Sequence, residues 1–239
     1  MELEFDRRYL SIKLNYINKQ LESLPVMYRN RRKDKYCIKY FCKGKLHEIQ
    51  STSPRFENAE KEFFRIKRLK EIKRKIESVA GSYQSVRIKK ISPVLGYEEY
   101  CRMESRTDNN DGNHPYNHKE FWMRSRFEVA MAGVLDGMGL EYKYEPRLSL
   151  GSFQVEPDFV VYLPEFNCCM IIECEGMTEK IDYVTRNGIK FAQYLLNGFT
   201  FGMDMVVLHG DKTHMPSPEL MRNAVVSAIN LLTSYYVLS

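Results

Sequence analysis

The sequence predicts an α/β protein whose C-terminal half has the element order αβββαβα, a central mixed sheet flanked by helices. Residues 168–176 (CCMIIECEG) are almost continuously apolar, which is typical of a buried central strand. Apolar residues at helical spacing precede and follow this strand, which indicates flanking helices. Charge differs between the two halves of the chain, and a small basic α+β lobe is predicted before the core.

The division of charge suggests a class of partner. Residues 1–119 contain 27 Lys and Arg against 16 Asp and Glu, a net charge of +11. Residues 120–239 contain 9 against 15, a net charge of −6. A basic region beside a carboxylate-rich region suits a protein that binds a phosphate backbone, so we expect nucleic acid as the partner. A basic surface that serves only solubility is the alternative.

Composition also excludes several classes of protein. No apolar run reaches the roughly 18 residues that span a bilayer, and the first residues lack the apolar segment of a signal peptide. We therefore expect a cytoplasmic protein with neither a membrane partner nor a small organic cofactor. The six cysteines include no C-x-x-C pair. Reduced thiols packed as small hydrophobic groups are favoured over a zinc site.

The basic lobe is predicted over residues 1–106 and a polar, turn-rich linker over residues 107–119. A helix at residues 5–24, a small antiparallel hairpin or meander, and a long helix from Ser53 to about Ser78 make up the lobe. The long helix is strongly basic, and phosphate contact competes with a merely solvated helix face. The residues expected to contact nucleic acid there are Lys61, Arg65, Arg68 and Lys73.

The core is predicted over residues 120–239, with strands at 140–150, 155–163 and 168–176. Four carboxylates lie within a helix or at the ends of strands. Glu128 lies in the first amphipathic helix, Asp158 lies at the start of an apolar strand, and Glu173 and Glu175 end the next strand. Side chains two apart on a strand share a face, and two unpaired carboxylates there would repel each other. This favours a nearby hard cation such as Mg²⁺, which takes oxygen ligands.

These residues resemble the motifs of the PD-(D/E)XK nuclease superfamily. Pro157-Asp158 corresponds to PD, and Glu173-Cys174-Glu175 corresponds to E-x-K, with Glu175 in place of the lysine. The likeness is greatest to a group of bacterial proteins that join a basic N-terminal region to a nuclease core. Residues 124–128 match their R-S-x-x-E helix start. Residues 172–177 match their W-E-H-x-G-M motif, with Cys174 in place of the histidine.

The resemblance implies a restriction-endonuclease-like core and a bacterial or phage DNA endonuclease that depends on Mg²⁺ or Mn²⁺. It implies that the catalytic residues are Glu128, Asp158, Glu173 and Lys190. It implies that the metal ligands are Asp158, Glu173, Glu175 and the backbone carbonyl of Cys174. Further contacts to nucleic acid are expected from Arg124, Arg126 and Tyr194.

Lys190 is included among the catalytic residues because Glu175 occupies the lysine position of the motif. In related nucleases the lysine can come from the following helix, and the similar bacterial group has it seven residues after a tyrosine. Tyr183 and Lys190 have that spacing, and helical geometry places positions seven apart almost on one face. An exposed, solubilising lysine is the alternative, and Gly188 could interrupt the helix.

Two other functions are compatible with the sequence. One is a nucleic-acid-binding module with a decayed nuclease site, and the other is a protein-interaction module. Salt-dependent DNA binding separates both nucleic-acid functions from the protein-interaction module, because phosphate contacts weaken steeply with salt. Metal-dependent cleavage separates the nuclease from the binding module.

Overall fold

The computed structural model describes residues 4–32, 35–80, 86–89, 92–106, 112–176, 181–211 and 214–237. These residues form a mixed α/β protein with six helices and four sheets. The chain divides into two compact units, one of residues 10–85 and one of residues 1–9 with 86–239. Within the described residues, no helix has the length and apolar character required to cross a membrane.

The smaller unit is a three-stranded sheet with helices. Its elements are most of α1 (Arg7–Ser23), β1 (Met27–Arg32), β2 (Lys35–Cys42), β3 (Lys45–Gln50) and α2 (Phe56–Ala80). The strands form an antiparallel sheet in the order β1-β2-β3. Met27, Ile38 and Ile66 are buried at its core. The structure therefore confirms the predicted helix, meander and long helix.

The larger unit contains the predicted core. Its elements are α3 (Tyr97–Arg102), β4 (Tyr116–His118), β5 (Phe121–Met123), α4 (Arg126–Gly137), β6 (Glu141–Tyr144), β7 (Leu148–Leu150), β8 (Phe153–Val155), β9 (Phe159–Leu163), β10 (Cys168–Glu175), α5 (Ile181–Leu196), β11 (Met205–His209) and α6 (Pro218–Tyr236). The main sheet has the order β11-β10-β9-β6. Only β10 and β11 run parallel within it, so the sheet is mixed as predicted. Without the β7–β8 hairpin, the order from α4 onward is αβββαβα.

The two central strands are buried along their whole lengths. Every residue of β9 and of β10 is buried, which explains why both segments are continuous apolar runs rather than alternating ones. α6 packs on β11 and on α4. The six cysteines, all within the described residues, are free thiols, and Cys168, Cys169 and Cys174 lie buried on β10. These three and Cys37 are buried as small hydrophobic groups, as expected, whereas Cys42 and Cys101 are exposed.

Two predicted strands are each divided in the structure. Residues 140–150 form β6 and β7, because Glu145 has a φ of 40° and ends the extended backbone before Pro146, which has no N–H group. The predicted strand at residues 155–163 is also divided, because Val155 is the last residue of β8 and β9 begins at Phe159. β7 and β8 form a separate hairpin that turns at Gly151, where φ is 61°.

The boundary between the units differs from the one expected at residues 106–120. Residues 86–106 belong to the larger unit, where Leu95, Tyr100 and Met103 are buried in the core. Sequence patterns missed this segment because its few apolar residues are separated by charged ones and show no clear period.

Part of the predicted linker at 107–119 forms a strand. Residues 107–111 lie outside the described residues. From Tyr116 to His118 the chain forms β4, which pairs with β5, so this part is an element of the larger unit.

Lys143 ties the segment around α3 to the sheet, which leads to a first prediction. Its Nζ donates to the carbonyl oxygen of Tyr100 at 2.6 Å and to that of Met103. Hydrogen bonds to a charged donor contribute about 1.5–3 kcal/mol. Lys143→Met should therefore open this segment and speed tryptic cleavage after Arg102 by about tenfold or more.

The matched control is Lys119→Met, which removes an exposed lysine paired with Asp136 at 2.6 Å. This variant should be cut after Arg102 at the wild-type rate. Equal cleavage rates for wild type and Lys143→Met would show that Lys143 does not hold the segment.

Candidate functional site

The carboxylates of the predicted site meet at one end of the main sheet. Phe159 and Ile172 are partners in the antiparallel pairing of β9 with β10. The same register, continued by one residue, places Asp158 opposite Glu173. Asp158 Oδ2 also accepts a hydrogen bond from the backbone N–H of Cys174 at 2.6 Å. The structure therefore brings together the two acids that are predicted from the sequence as the main metal ligands.

Glu173 has two partners on α5. Lys190 Nζ lies 2.7 Å from Glu173 Oε2, and the hydroxyl of Tyr194 donates to Glu173 Oε1 at 2.6 Å. Glu173 is only 1% exposed, so these contacts compensate the burial of its charge. The helix is continuous through Gly188. Lys190 therefore lies where the sequence predicted, whereas its catalytic role stays a prediction.

Glu175 is held by the same helix. The side-chain amide of Asn187 donates to Glu175 Oε2, and the Tyr183 hydroxyl interacts with both side chains. Tyr183, Asn187, Lys190 and Tyr194 are spaced by four, three and four residues and so share one face of α5. Asn187 is not among the residues predicted from the sequence, although this spacing could have identified it.

Glu128 is fixed at the beginning of α4. Ser125 is the N-cap of this helix, and its hydroxyl accepts from the backbone N–H of Glu128 and donates to Glu128 Oε1 at 2.9 Å. Glu128 Oε2 accepts from the backbone N–H of Arg124 at 2.9 Å and from the Tyr144 hydroxyl at 2.7 Å. The R-S-x-x-E pattern thus forms a helix cap, and the cap directs a buried carboxylate.

The charges of the cluster affect one another. Burial raises the pKa of Asp158 well above its ordinary value, the charge of Glu173 raises it further, and Lys190 opposes both. Burial also raises the pKa of Glu173, against the charge and hydrogen bond of Lys190. Burial raises the pKa of Glu128, against its hydrogen bonds from Tyr144 and Ser125. Each carboxylate is therefore held at a cost that a bound cation would reduce.

Lys190 remains a cation in this environment. Burial lowers the pKa of Lys190, but the charges of Glu173 and Asp158 raise it, and the net pKa lies above the ordinary value. The site thus combines three buried carboxylates that interact with one another and a half-buried ammonium group.

The donor atoms of the site fit a magnesium-like ion better than zinc. Within the described part of the chain, no group of three or more His, Cys, Asp or Glu side chains is arranged to hold a metal. Mg²⁺ requires only one or two carboxylates, with waters and substrate phosphate as the remaining ligands. An ionised carboxylate has about four acceptor sites, so Glu173 can accept further contacts beyond Lys190 and Tyr194. Asp158 and Glu173 therefore fit such an ion.

Not every residue expected to contact nucleic acid is placed to do so. Tyr194 is fully buried and its hydroxyl is bonded to Glu173, so the prediction that it contacts nucleic acid is wrong. Arg126 is exposed, with its guanidinium 5.8 Å from the ring centroid of Tyr116. Arg124 is paired through Nε with Glu145 at 2.7 Å and is still about half exposed. Met177 of the second motif lies outside the described residues.

Three of the four basic residues predicted on α2 are exposed, namely Lys61, Arg65 and Arg68, whereas Lys73 is partly buried. Three of them pair with acids on the same helix, at 2.8, 3.4 and 3.8 Å, namely Lys61 with Glu57, Arg65 with Glu62 and Lys73 with Glu77. Exposed pairs of this kind contribute only about 0–1 kcal/mol. Their basic members can therefore exchange an acid for a phosphate at little cost.

Comparison with known proteins gave no match to a family model, a curated protein or a solved structure. A function for this chain therefore has to be inferred from the residues of the site.

The buried charge of Asp158 gives a prediction about stability. A folded-state pKa above the unfolded value means that the wild type loses stability as pH rises through the raised pKa. Asp158→Asn removes the charge and keeps an oxygen that can accept from Cys174. Without divalent cations it should be more stable than wild type near neutral pH, because the neutral amide avoids the cost of a buried charge. The gain should vanish below the ordinary Asp pKa of about 3.9, as measured by denaturant unfolding.

Asp136→Asn is a control with the opposite sign. Burial raises the pKa of Asp136, but hydrogen bonds from Lys119 and His118 bring it below the ordinary value. Its charge therefore stabilises the folded protein at neutral pH, and Asp136→Asn should be less stable there. Destabilisation by both variants would contradict the assignment of Asp158 as a costly buried charge.

Proposed function

We propose that this protein is a metal-dependent nuclease that hydrolyses DNA phosphodiester bonds on a restriction-endonuclease-like core. The observation that carries the proposal is the contact of Lys190 with Glu173, opposite Asp158 at the sheet end. An ammonium group beside paired carboxylates is suited to phosphodiester hydrolysis, which needs a cation site and a positive group at the phosphate. The αβββαβα order from α4 to α6 supports the choice of core.

The oxygen donors of the cluster would hold the metal. Asp158 and Glu173 would be the principal ligands of Mg²⁺ or Mn²⁺, with Glu175 and the carbonyl oxygen of Cys174 as further candidates. When bound, such an ion neutralises charge on the phosphate and acidifies a bound water. Tyr194 and Asn187 hold Glu173 and Glu175 in place through hydrogen bonds.

Lys190 supplies the positive charge of the chain itself. Its raised pKa keeps the ammonium protonated at neutral pH. Next to Glu173, it stabilises the negative charge that develops on the phosphate and orients the attacking water. Glu128 acts from the α4 side, where its carboxylate adds negative charge near Asp158 and holds the backbone of Arg124.

The basic residues supply the affinity for a nucleic acid. Residues 1–119 carry a net charge of +11, and on α2 Lys61, Arg65 and Arg68 are exposed and Lys73 is partly exposed. Such residues bind the phosphate backbone without reading its sequence. The resemblance to the PD-(D/E)XK superfamily favours DNA over RNA.

Lys190→Met tests the catalytic assignment. Cleavage of plasmid DNA with Mg²⁺ or Mn²⁺ should fall by at least about 100-fold, because a group that stabilises the transition-state charge is lost. DNA binding should persist. Without metal the variant should be less stable than wild type, since Glu173 loses its cationic partner, and Mn²⁺ should restore part of that stability.

Arg186→Met, an exposed cation on the same helix, is the matched control and should cleave normally. Wild-type rates in Lys190→Met would remove Lys190 from the catalytic site. A wild-type protein that binds DNA but does not cleave it with either metal would be a nucleic-acid-binding module instead.

Metal binding is tested separately by calorimetry with Mn²⁺. Asp158→Ala should bind Mn²⁺ at least about tenfold more weakly than wild type, because a direct ligand is lost. Asp136→Ala removes a carboxylate that is paired with Lys119 and His118 elsewhere in the larger unit, and it should bind Mn²⁺ normally. Equal affinities in wild type and Asp158→Ala would exclude Asp158 as a ligand.

A further inference from the structure

Glu145 is a buried carboxylate beside the site that has no role in the proposed chemistry. It follows β6 directly, is 4% exposed, and has a φ of 40°. This left-handed conformation costs a non-glycine residue about 1 kcal/mol or more, whereas glycine adopts it freely. The backbone N–H of Glu145 donates to the carbonyl oxygen of Asp158 at 3.0 Å. Glycine could make that backbone bond without strain, so the particular contribution of glutamate lies in its side chain.

The Glu145 side chain faces two guanidinium groups and an imidazole. Arg124 Nε lies 2.7 Å from Oε1, whereas Arg106 Nη1 and His114 Nε2 lie 3.4 and 3.1 Å from Oε2. Arg124 Nε also donates to His114 Nε2 at 3.1 Å. Arg124 Nε has one hydrogen, which it donates to His114, so its contact with Glu145 Oε1 is an ion pair without a hydrogen bond. Glu145 and His114 are both buried and have little freedom to move, so the Nε edge of Arg124 lies against two fixed groups.

Arg124 connects this network to the carboxylate cluster. Its backbone N–H is bonded to Glu128, and its side chain is 48% exposed. Burial lowers the pKa of Arg124, but the charges of Glu145, Asp158 and Glu128 raise it above its ordinary value. Those charges therefore act on a guanidinium that still reaches solvent. A guanidinium is planar and presents a rigid fork of N–H donors that matches a phosphate group.

We propose that Glu145 is a positioning residue that, together with His114, orients the Arg124 guanidinium to bind a phosphate group of the nucleic-acid backbone beside the carboxylate cluster. The inference rests on the proposed function and adds a phosphate contact to it. One carboxylate faces the two guanidinium groups of Arg124 and Arg106, so the network keeps positive charge for an anion.

The direction in which Glu145→Gln changes DNA affinity distinguishes positioning of Arg124 from a simple effect of charge. Glu145→Gln removes a negative charge near the DNA, which by charge alone should strengthen binding. If Glu145 orients Arg124, the same substitution should weaken binding.

We expect Arg124→Ala to weaken duplex binding by about tenfold and to reduce the slope of log affinity against log salt by about 0.9. Glu145→Gln should reproduce at least half of that loss of slope. In the Arg124→Ala background it should weaken binding no further.

Three variants control for folding and for unspecific charge effects. Glu145→Gly relieves the strained φ and removes the carboxylate, so it should weaken DNA binding while the protein stays folded. Arg147 and Glu156 form an exposed pair at 3.4 Å. Arg147→Ala and Glu156→Gln should therefore show only the small changes expected for a surface charge. Affinity is measured by fluorescence anisotropy over a salt series, and folding by thermal unfolding.

The outcomes separate this inference from the proposed function. If wild type binds and cleaves DNA but Glu145→Gln binds as well or better, only the positioning role is overturned. Additive losses in the double variant would overturn it too. Unfolding of both Glu145 variants would make the network structural and would overturn the inference. Absence of DNA binding by wild type would overturn the proposed function and the inference with it.

Discussion

Burial of the Glu173 carboxylate at the end of β10 is the constraint on which the site depends. β10 is buried along its whole length, so a charge on it needs a close partner of opposite sign. Lys190 provides that partner from α5 at 2.7 Å, and Tyr194 donates to the other oxygen from one turn further along. The pairing of these side chains fixes the rotation of α5 about its axis and thereby brings Asn187 to Glu175.

Asp158 connects the two halves of the cluster. Its carboxylate accepts from the backbone of Cys174, on the β10 side that α5 covers. Its carbonyl oxygen accepts from the backbone of Glu145, on the β6 side where Glu128 and Arg124 lie. A shift of this residue would therefore disturb both sides. This explains how acids from one helix and two strands, which are distant in sequence, can influence one another's ionisation.

Sequence could predict those parts of the structure that depend on repeated patterns. Long helices and β10 have clear periodicity or continuous apolar runs, and the order of the carboxylates along these elements was visible. Periodicity predicts which face of a helix a residue lies on but not how deeply that face is buried in the protein. For this reason the sequence predicts that Tyr194 contacts nucleic acid, although its side chain is buried. Glu145 and Asn187 were missed because an isolated polar residue forms no pattern. The left-handed φ of Glu145, which ends β6, is a tertiary property that its own residue type disfavours.

The cluster also links stability to the proposed ligand. Burial raises the pKa values of Asp158, Glu173 and Glu128, so the folded protein accommodates their negative charges less well than the unfolded chain does. A cation that binds only the folded state relieves this cost and adds its own binding free energy to stability. Residues that are costly in the absence of ligand and useful in its presence are typical of functional sites. The four acids of the cluster, Glu128, Asp158, Glu173 and Glu175, outnumber the cations Lys190 and Arg124, and a bound cation would offset this excess of negative charge.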